Sequence, residues 1–349
     1  MRLEPRHNTG ALVLLGFPAA AIAFAMACGG ILALFAGASP FRVFGLIATG
    51  ALGSKFALLE TLTRATPLVF TGLAAAVAFR AKLWNIGGEA QLYLGAVMTV
   101  TFGTGLLPLP APVLVPVLMV SAMLGGALAL SVPAFLKTRF GVDEVVTTLL
   151  LNFVVILFVS ILLEGPLKDP AGLGWPQSRK LVAEAQLPRL FQGKRLHLGF
   201  IIAIAAALAV WVIDRFSVLG FEMRAVGHNP RAAAFAGIEV NRVIAKTALL
   251  SGGLAGLAGF SEVAGLKGNL TLDLSPGFGT TGIVVAMLAM LHPLGVIAAA
   301  VFVAAIFVGA DAMSRTAQVP SYIAQVMVAL ALLSMSTAMM LARYRMKWR

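Results

Sequence analysis

Long apolar runs separated by short polar breaks make up most of this sequence. Stretches at 11–36, 58–79, 88–107, 111–135, 145–163, 198–214, 244–264, 278–291, 293–311 and 320–342 carry few charges. Most reach the roughly 18 residues needed to cross a hydrocarbon core of about 30 Å. The pattern predicts an all-α, polytopic membrane protein of about ten helices, with eight as the lower bound. The run 278–291 is short enough for a half-helix or re-entrant segment. Pro67, Pro110, Pro112, Pro133, Pro276, Pro293 and Pro320 fall mostly where helices start or turn. A single transmembrane domain over 1–349 is expected, with two long polar stretches. Residues 164–197, containing Pro166, Pro170, Pro176 and Pro188, read as an external cap or docking surface. Residues 215–243 lie on the opposite, cytoplasmic side.

The most conspicuous break is LWNIGGEAQLY, residues 83–93, where Asn85, Glu89 and Gln91 surround Gly87 and Gly88. If the preceding helix starts at Pro67, the glycine pair falls inside the bilayer. If it starts near Leu58, the pair lies at the cytoplasmic edge, with Arg80 and Lys82 reaching the headgroups. A carboxylate facing lipid costs about 3 kcal/mol, so Glu89 must face protein or a cavity in either case. Two roles remain open for the polar trio: capping the helix ends around the break, or gating a route beside it.

The stretch 215–243 holds a second signal, NPRAAAFAGI. Asn229 is placed as an N-cap, Pro230 at the first helical position and Gly237 just past the end. Arg224, His228 and Arg231 are too closely spaced for a buried transmembrane helix. A short cytoplasmic helix capped at Asn229 and ended at Gly237, within a lever region 222–237 docked against a partner, fits them.

Composition then narrows the class. The chain is 60% hydrophobic and 11% charged, with mean hydropathy +0.95, far beyond a soluble surface. The net charge of +12 is dispersed among loops, which the positive-inside bias and anionic lipid explain without nucleic acid. Both termini are placed in the cytoplasm. That side then holds fifteen of the 26 basic residues, including Arg6 and Arg349, while six of the remainder fall in 164–197. The N-terminus mimics a signal peptide ending at Cys28, but the apolar run continues through Phe35 as an uncleaved span would. One cysteine allows no internal disulfide, and the histidines (His7, His197, His228, His292) have no metal-ligand spacing. There is no phosphate-loop motif, no Ser/His/Asp set and no H-E-x-x-H, so the chain is expected to be neither an enzyme nor an ATPase.

Five segments, AFRAKLWNIGGEAQLYLGA, EVVTTLLLNF, EMRAVGHNPRAAAFAGI, SGGLAGLAGFSEVAG and GIVVAMLAMLHPLG, follow in one order. In that order they resemble the permease subunits of bacterial ATP-binding-cassette importers for nucleosides, kin of the ribose and simple-sugar permeases. The resemblance covers about 55–342. It implies a second permease subunit, cytoplasmic ATPase subunits that use ATP and magnesium, and an external substrate-binding lipoprotein, in a bacterial cytoplasmic membrane. The family usually has Phe and Gly at positions 84 and 90 and an aromatic at 280; this chain has Trp84, Ala90 and Thr280, which leaves the substrate open between nucleoside and sugar.

Candidate route or gate residues are Trp84, Asn85, Glu89, Gln91, Asn152, Glu262, Phe278 and Thr280. Asn152 can equally hydrogen-bond across helices, and Trp84, Phe70 and Phe278 can equally be packing anchors rather than base-stacking groups. Glu262 reads as an outer cap or vestibule residue and Asp311 as solvated. Gly252, Gly253, Gly256 and Gly259 read as a close-packing stripe. The ATPase-coupling candidates are Glu222, Arg224, Gly227, His228, Asn229, Arg231, Ala234, Phe235 and Gly237. A stand-alone secondary transporter is the rival reading; it would need ion-coupling residues in its spans and no docking helix.

Overall fold

The computed structural model describes residues 2–5, 11–35, 37–318 and 320–347. Residue 36 of the first expected span, and Arg6 and Arg349 of the interior charges, lie outside the described residues. Among the described residues thirteen α-helices follow in chain order: α1 (Ala11–Phe35), α2 (Pro40–Leu52), α3 (Lys55–Arg80), α4 (Gly88–Gly103), α5 (Ala111–Phe140), α6 (Glu144–Glu164), α7 (Gly199–Phe216), α8 (Val218–His228), α9 (Pro230–Phe235), α10 (Val240–Glu262), α11 (Phe278–Leu288), α12 (Pro293–Ala317) and α13 (Tyr322–Arg343). Every stretch expected to cross the membrane carries a helix. Among the described residues six are long and apolar enough to do so: α3, α5, α6, α7, α12, and α10 with the π-helical turn Val263–Lys267 that extends it. A seventh exists if Ala23–Phe35 and α2, bent by 115°, form one span.

The helix α2 was not expected, because Arg42 within it and Ser54 just after it leave an apolar run of only 43–53. A two-stranded antiparallel ribbon, Arg2–Pro5 with Tyr344–Lys347, is also an addition to the all-α expectation. It joins the two ends of the chain, which puts them on one side of any membrane the chain spans.

The chain divides into two compact units. One comprises 1–61 and 301–349. Its core is Ala33, Val43, Ile47, Met313, Ile323 and Met327, and the Thr61 hydroxyl donates to the Ala51 carbonyl at 3.0 Å. Asp311, expected to be solvated, is half-buried there and has an interaction partner.

The other unit, 62–300, holds the candidate site. Its centre is α10 against α4 and α5. Gly252 meets the backbone of Gly126 and Ala127, Gly256 that of Ala122, and Gly259 that of Leu92. A methyl group at any of these three would fall on a neighbouring main chain, so the glycines let helices approach to backbone contact. Residues 164–197 form no long element, only the 3-10 turn Ala183–Ala185. They lie across the ends of α4 and α10 through Val182 N–H to Gly103 O (3.0 Å), Leu181 N–H to Gly268 O (2.8 Å) and Leu187 N–H to Ala264 O (2.8 Å). The helices α8 and α9 sit at the opposite end of this unit, after α7.

Candidate functional site

The break after α3 begins as a regular helix stop. Leu83 N–H reaches Ala78 O and Lys82 N–H reaches Phe79 O, with Lys82 at φ 53°, the Schellman pattern with a lysine in the left-handed position usually taken by glycine. The chain then turns back alongside α3 instead of leaving the bilayer. The Asn85 amide donates to Ser251 Oγ (3.1 Å), which donates to Ala74 O (2.8 Å), so Asn85 is already level with a residue six positions inside α3. Farther along, Gly282 packs on Thr71 and Gly279 on Gly88. Thr71 lies nine residues before Arg80, about 13 Å along the axis, so α4 starts near the middle of a 30 Å core. The early start at Lys55 therefore does not put the glycine pair at the membrane edge, because 81–87 carries it back inside. The helix α4, 16 residues long, spans about 24 Å and cannot cross alone.

Polar groups at this depth need partners within the protein, and here they have them. Asn85 and Gln91 pair amide to amide, Nδ2 to Oε1 at 2.9 Å and Nε2 to Oδ1 at 2.7 Å, while Asn85 Oδ1 also accepts from Gly87 N–H at 3.0 Å. Asn152 on α6 accepts from Ala90 N–H (2.9 Å), one of the unpaired amides of the first turn of α4, and donates to Ile86 O (3.0 Å). Thr148 Oγ1 accepts from Ile86 N–H and Glu144 Oε1 from Trp84 N–H. Sequence positions 85, 91 and 152 thus share one cluster around the first turn of α4, the turn that also carries Glu89. Trp84 does not join it; its ring tilts onto Phe79 at 4.9 Å and is 45% exposed.

The second half-helix completes the site. The helix α11 has 11 residues, about 16 Å, and its first turn abuts the first turn of α4. A Cβ at Gly88 would stand 3.0 Å from Gly279 Cα, which explains the second glycine of the pair. Gly279 N–H donates to Glu89 Oε1 at 2.8 Å. The carboxylate thus lies where the positive ends of two helix dipoles converge. Glu89 is 8% exposed, and its other oxygen, Oε2, has no hydrogen-bond partner. Phe278 is buried beside it, whereas Thr280 is exposed and donates to Gly277 O. Glu262 is buried far from this cluster, at the other end of α10 where Lys267, Arg64 and Arg195 surround it.

At the opposite end the short helix expected after Asn229 is present, and another precedes it. The helix α8 ends at His228 and α9 starts at Pro230. Asn229 accepts from the amides of Arg231 (3.1 Å) and Ala232 (3.2 Å), and Gly237 follows at φ +85°. The helix expected between Asn229 and Gly237 is thus α9, and α8 before it is an addition; the Asn229 cap, which needs extended geometry, separates the two. Arg224 has a partner within its own chain: Nη1 binds Asp214 Oδ1 at 3.1 Å and the Asp214 carbonyl, and Arg80 binds the same carboxylate. Arg80 also donates to Leu291 O through Nε (3.2 Å) and Nη2 (2.8 Å). Gly227 is fixed by contact, since a Cβ there would fall on the Arg80 carbonyl oxygen. His228 Nδ1 lies 2.8 Å from Arg224 O and Glu222 is half-buried. Ala233 is buried, leaving Arg231, Ala234 and Phe235 on the open surface, the last 97% exposed.

Sequence reasoning missed Asp214, Arg80 as a bridging group, and His197. The signal for Asp214 was present: a lone acid at the end of an apolar span. His197 is fully buried, its ring against Gly199 and Gly265, with Nδ1 accepting from Gly199 N–H (3.1 Å) and Nε2 unpartnered. Burial pushes its pKa down to about 4 from 6.5. The unfolded chain then binds the proton more readily than the folded one, so stability is full above pH 6.5 and falls as pH drops toward 4. The loss approaches about 3 kcal/mol. Thermal unfolding of the purified protein at pH 7 and pH 4.5 should show this drop, and His197→Gln should flatten it.

Two half-helices meeting head to head at membrane depth are the architecture of a membrane transport subunit. The chain belongs to the family described as branched-chain amino acid transport system / permease component, which matches residues 57–344. It is 34% identical to the glucose ABC transporter permease protein TsgB13 of Haloferax volcanii, over 99% of this chain and 93% of that protein. It is 33% identical to the guanosine ABC transporter permease protein NupP of Bacillus subtilis, over 92% of each. With the nucleoside ABC transporter permease protein NupB of Lactococcus lactis it shares 30%, over 89% of this chain and 88% of that one.

Proposed function

We propose that this permease moves nucleosides inward across a bacterial cytoplasmic membrane, driven by separate ATPase subunits that use ATP and magnesium. A second permease subunit and an external substrate-binding lipoprotein complete the importer. The carrying observation is the head-to-head junction of α4 and α11: broken helices whose converging N-termini already hold a carboxylate suit an uncharged polar solute better than an anion. The guanosine and nucleoside relatives supply the substrate class; the glucose relative supports a sugar as the second reading. The termini and residues 215–243 face the cytoplasm, where α9 docks the ATPase, and residues 164–197 face outward.

In proteoliposomes holding the permease with its ATPase and binding protein, ATP-dependent accumulation of guanosine is expected. Accumulation of glucose in place of guanosine would replace the nucleoside by a sugar. Ion-driven accumulation by this chain alone would remove it from the importer class. For the docking surface, Phe235→Asp should leave insertion unchanged, since the side chain touches little of its own chain. It should release the ATPase in co-purification; retention of the ATPase would place docking elsewhere.

A further inference from the structure

Glu89 uses one carboxylate oxygen and leaves the other idle. Oε1 holds Gly279 N–H at 2.8 Å, with the Ser275 hydroxyl and the Thr280 amide close to the same carboxylate. Oε2 is buried and unpartnered. Its neighbours at the same depth are different: Asn85, Gln91 and Asn152 have both ends of their amides paired. Buried polar atoms are normally satisfied, so the exception needs a reason. Gly277, half-buried and at φ +91°, would bring even a Cβ only to 4.0 Å from Oε1, and its neighbours Pro276 and Thr280 are exposed.

We propose that Glu89 Oε2 is a substrate subsite: it accepts a hydrogen bond from a hydroxyl or N–H donor of a neutral solute passing the junction of α4 and α11. The site deepens the importer reading above and rests on it. The converging N-termini of two helices would by themselves favour an anion. A carboxylate already occupies that position, so the site turns from one that takes phosphates to one that takes donors and repels them. Nucleosides and sugars share this chemistry; their phosphorylated forms do not. A site built to accept a donor discriminates strongly against analogues that lack it.

The test uses the complete importer in proteoliposomes with tritiated guanosine, its 2′-deoxy and 3′-deoxy analogues and guanosine monophosphate as probes. Glu89→Gln keeps an acceptor for Gly279 N–H but presents an amide donor in place of Oε2. Glu89→Asp keeps the carboxylate. Wild-type importer should disfavour at least one deoxy analogue and ignore the monophosphate. Glu89→Gln, present in normal amount and still bound to the ATPase, should lose about tenfold or more in Vmax/KM for guanosine. It should also lose the discrimination against that analogue, whereas Glu89→Asp should retain it at a lower rate. Equal rates and equal discrimination in Glu89→Gln and wild type would overturn the subsite and leave the importer reading intact. Loss of folded protein in both variants would also overturn it, by assigning Glu89 to holding α4 against α11. If wild type takes up glucose instead of guanosine, the nucleoside assignment falls, and the same comparison is made with glucose and its monodeoxy analogues. Uptake of neither solute by wild type would remove the importer reading and the subsite with it.

Discussion

Gly88→Val is expected to abolish transport. The added Cβ would stand 3.0 Å from Gly279 Cα and 3.1 Å from Gly279 O, and the two further methyls would drive into backbone that has no side chain to move aside. Overpacking of this kind costs about 1–3 kcal/mol, which a 349-residue membrane protein can survive while its junction does not. The half-helices would be pushed apart and Gly279 N–H drawn away from Glu89. Gly88→Ala should retain part of the rate, because a single methyl at 3.0 Å needs a shift of only a few tenths of an ångström. Membrane abundance, ATPase co-purification and guanosine uptake separate these effects. Normal uptake by the valine variant would mean that the contact between α4 and α11 is incidental to the route.

The valine prediction could not have been made from the sequence, and the reason lies in distance along the chain. Gly87 and Gly88 announce a break, and Asn85, Glu89 and Gln91 announce that something polar is satisfied there. Their partners, however, are Ser251, 166 residues away, and Gly279, 190 away from Glu89. Hydropathy places a helix end but not its depth; residues 81–87 return to mid-membrane because of contacts with α10 and α6, which no local pattern records. Asn229 and Gly237 were legible because a cap and a left-handed stop are local events, fixed by residues within a few positions. The internal partner of Arg224 was not legible, for the opposite reason. A basic residue in a polar stretch looks like a partner's ligand until a carboxylate from the preceding helix, Asp214, is found against it. Part of the charge of 215–243 is therefore structural.

That internal pairing supports the second large effect: Asp214→Ala should uncouple the permease from its ATPase. Arg80 and Arg224 share the Asp214 carboxylate, and Arg80 also holds the Leu291 carbonyl just beyond α11. The helix α8 rests on the Arg80 carbonyl through Gly227, and α11 ends at its other tip in Gly279, on Glu89. A displacement of α8 therefore has a contiguous path of packed main chain and ion pairs to the mid-membrane junction, along a rigid helix of about 16 Å. Removing the carboxylate leaves two half-buried cations without their shared partner. Breaking a fully buried pair costs about 3–5 kcal/mol, and the partial exposure of both guanidinium groups reduces this to about 1–3 kcal/mol. The protein should still insert and still bind its ATPase through α9, whose surface is untouched. ATP hydrolysis should continue while guanosine accumulation falls by about tenfold or more. A path inferred from contacts is established only by coupling, so the decisive measurement is a double-mutant cycle on transport between Asp214→Ala and Gly88→Ala. Losses that multiply as independent effects would mean that the ion-pair node and the junction act separately; a double variant no worse than the poorer single one would mean that both act on the same movement of α11.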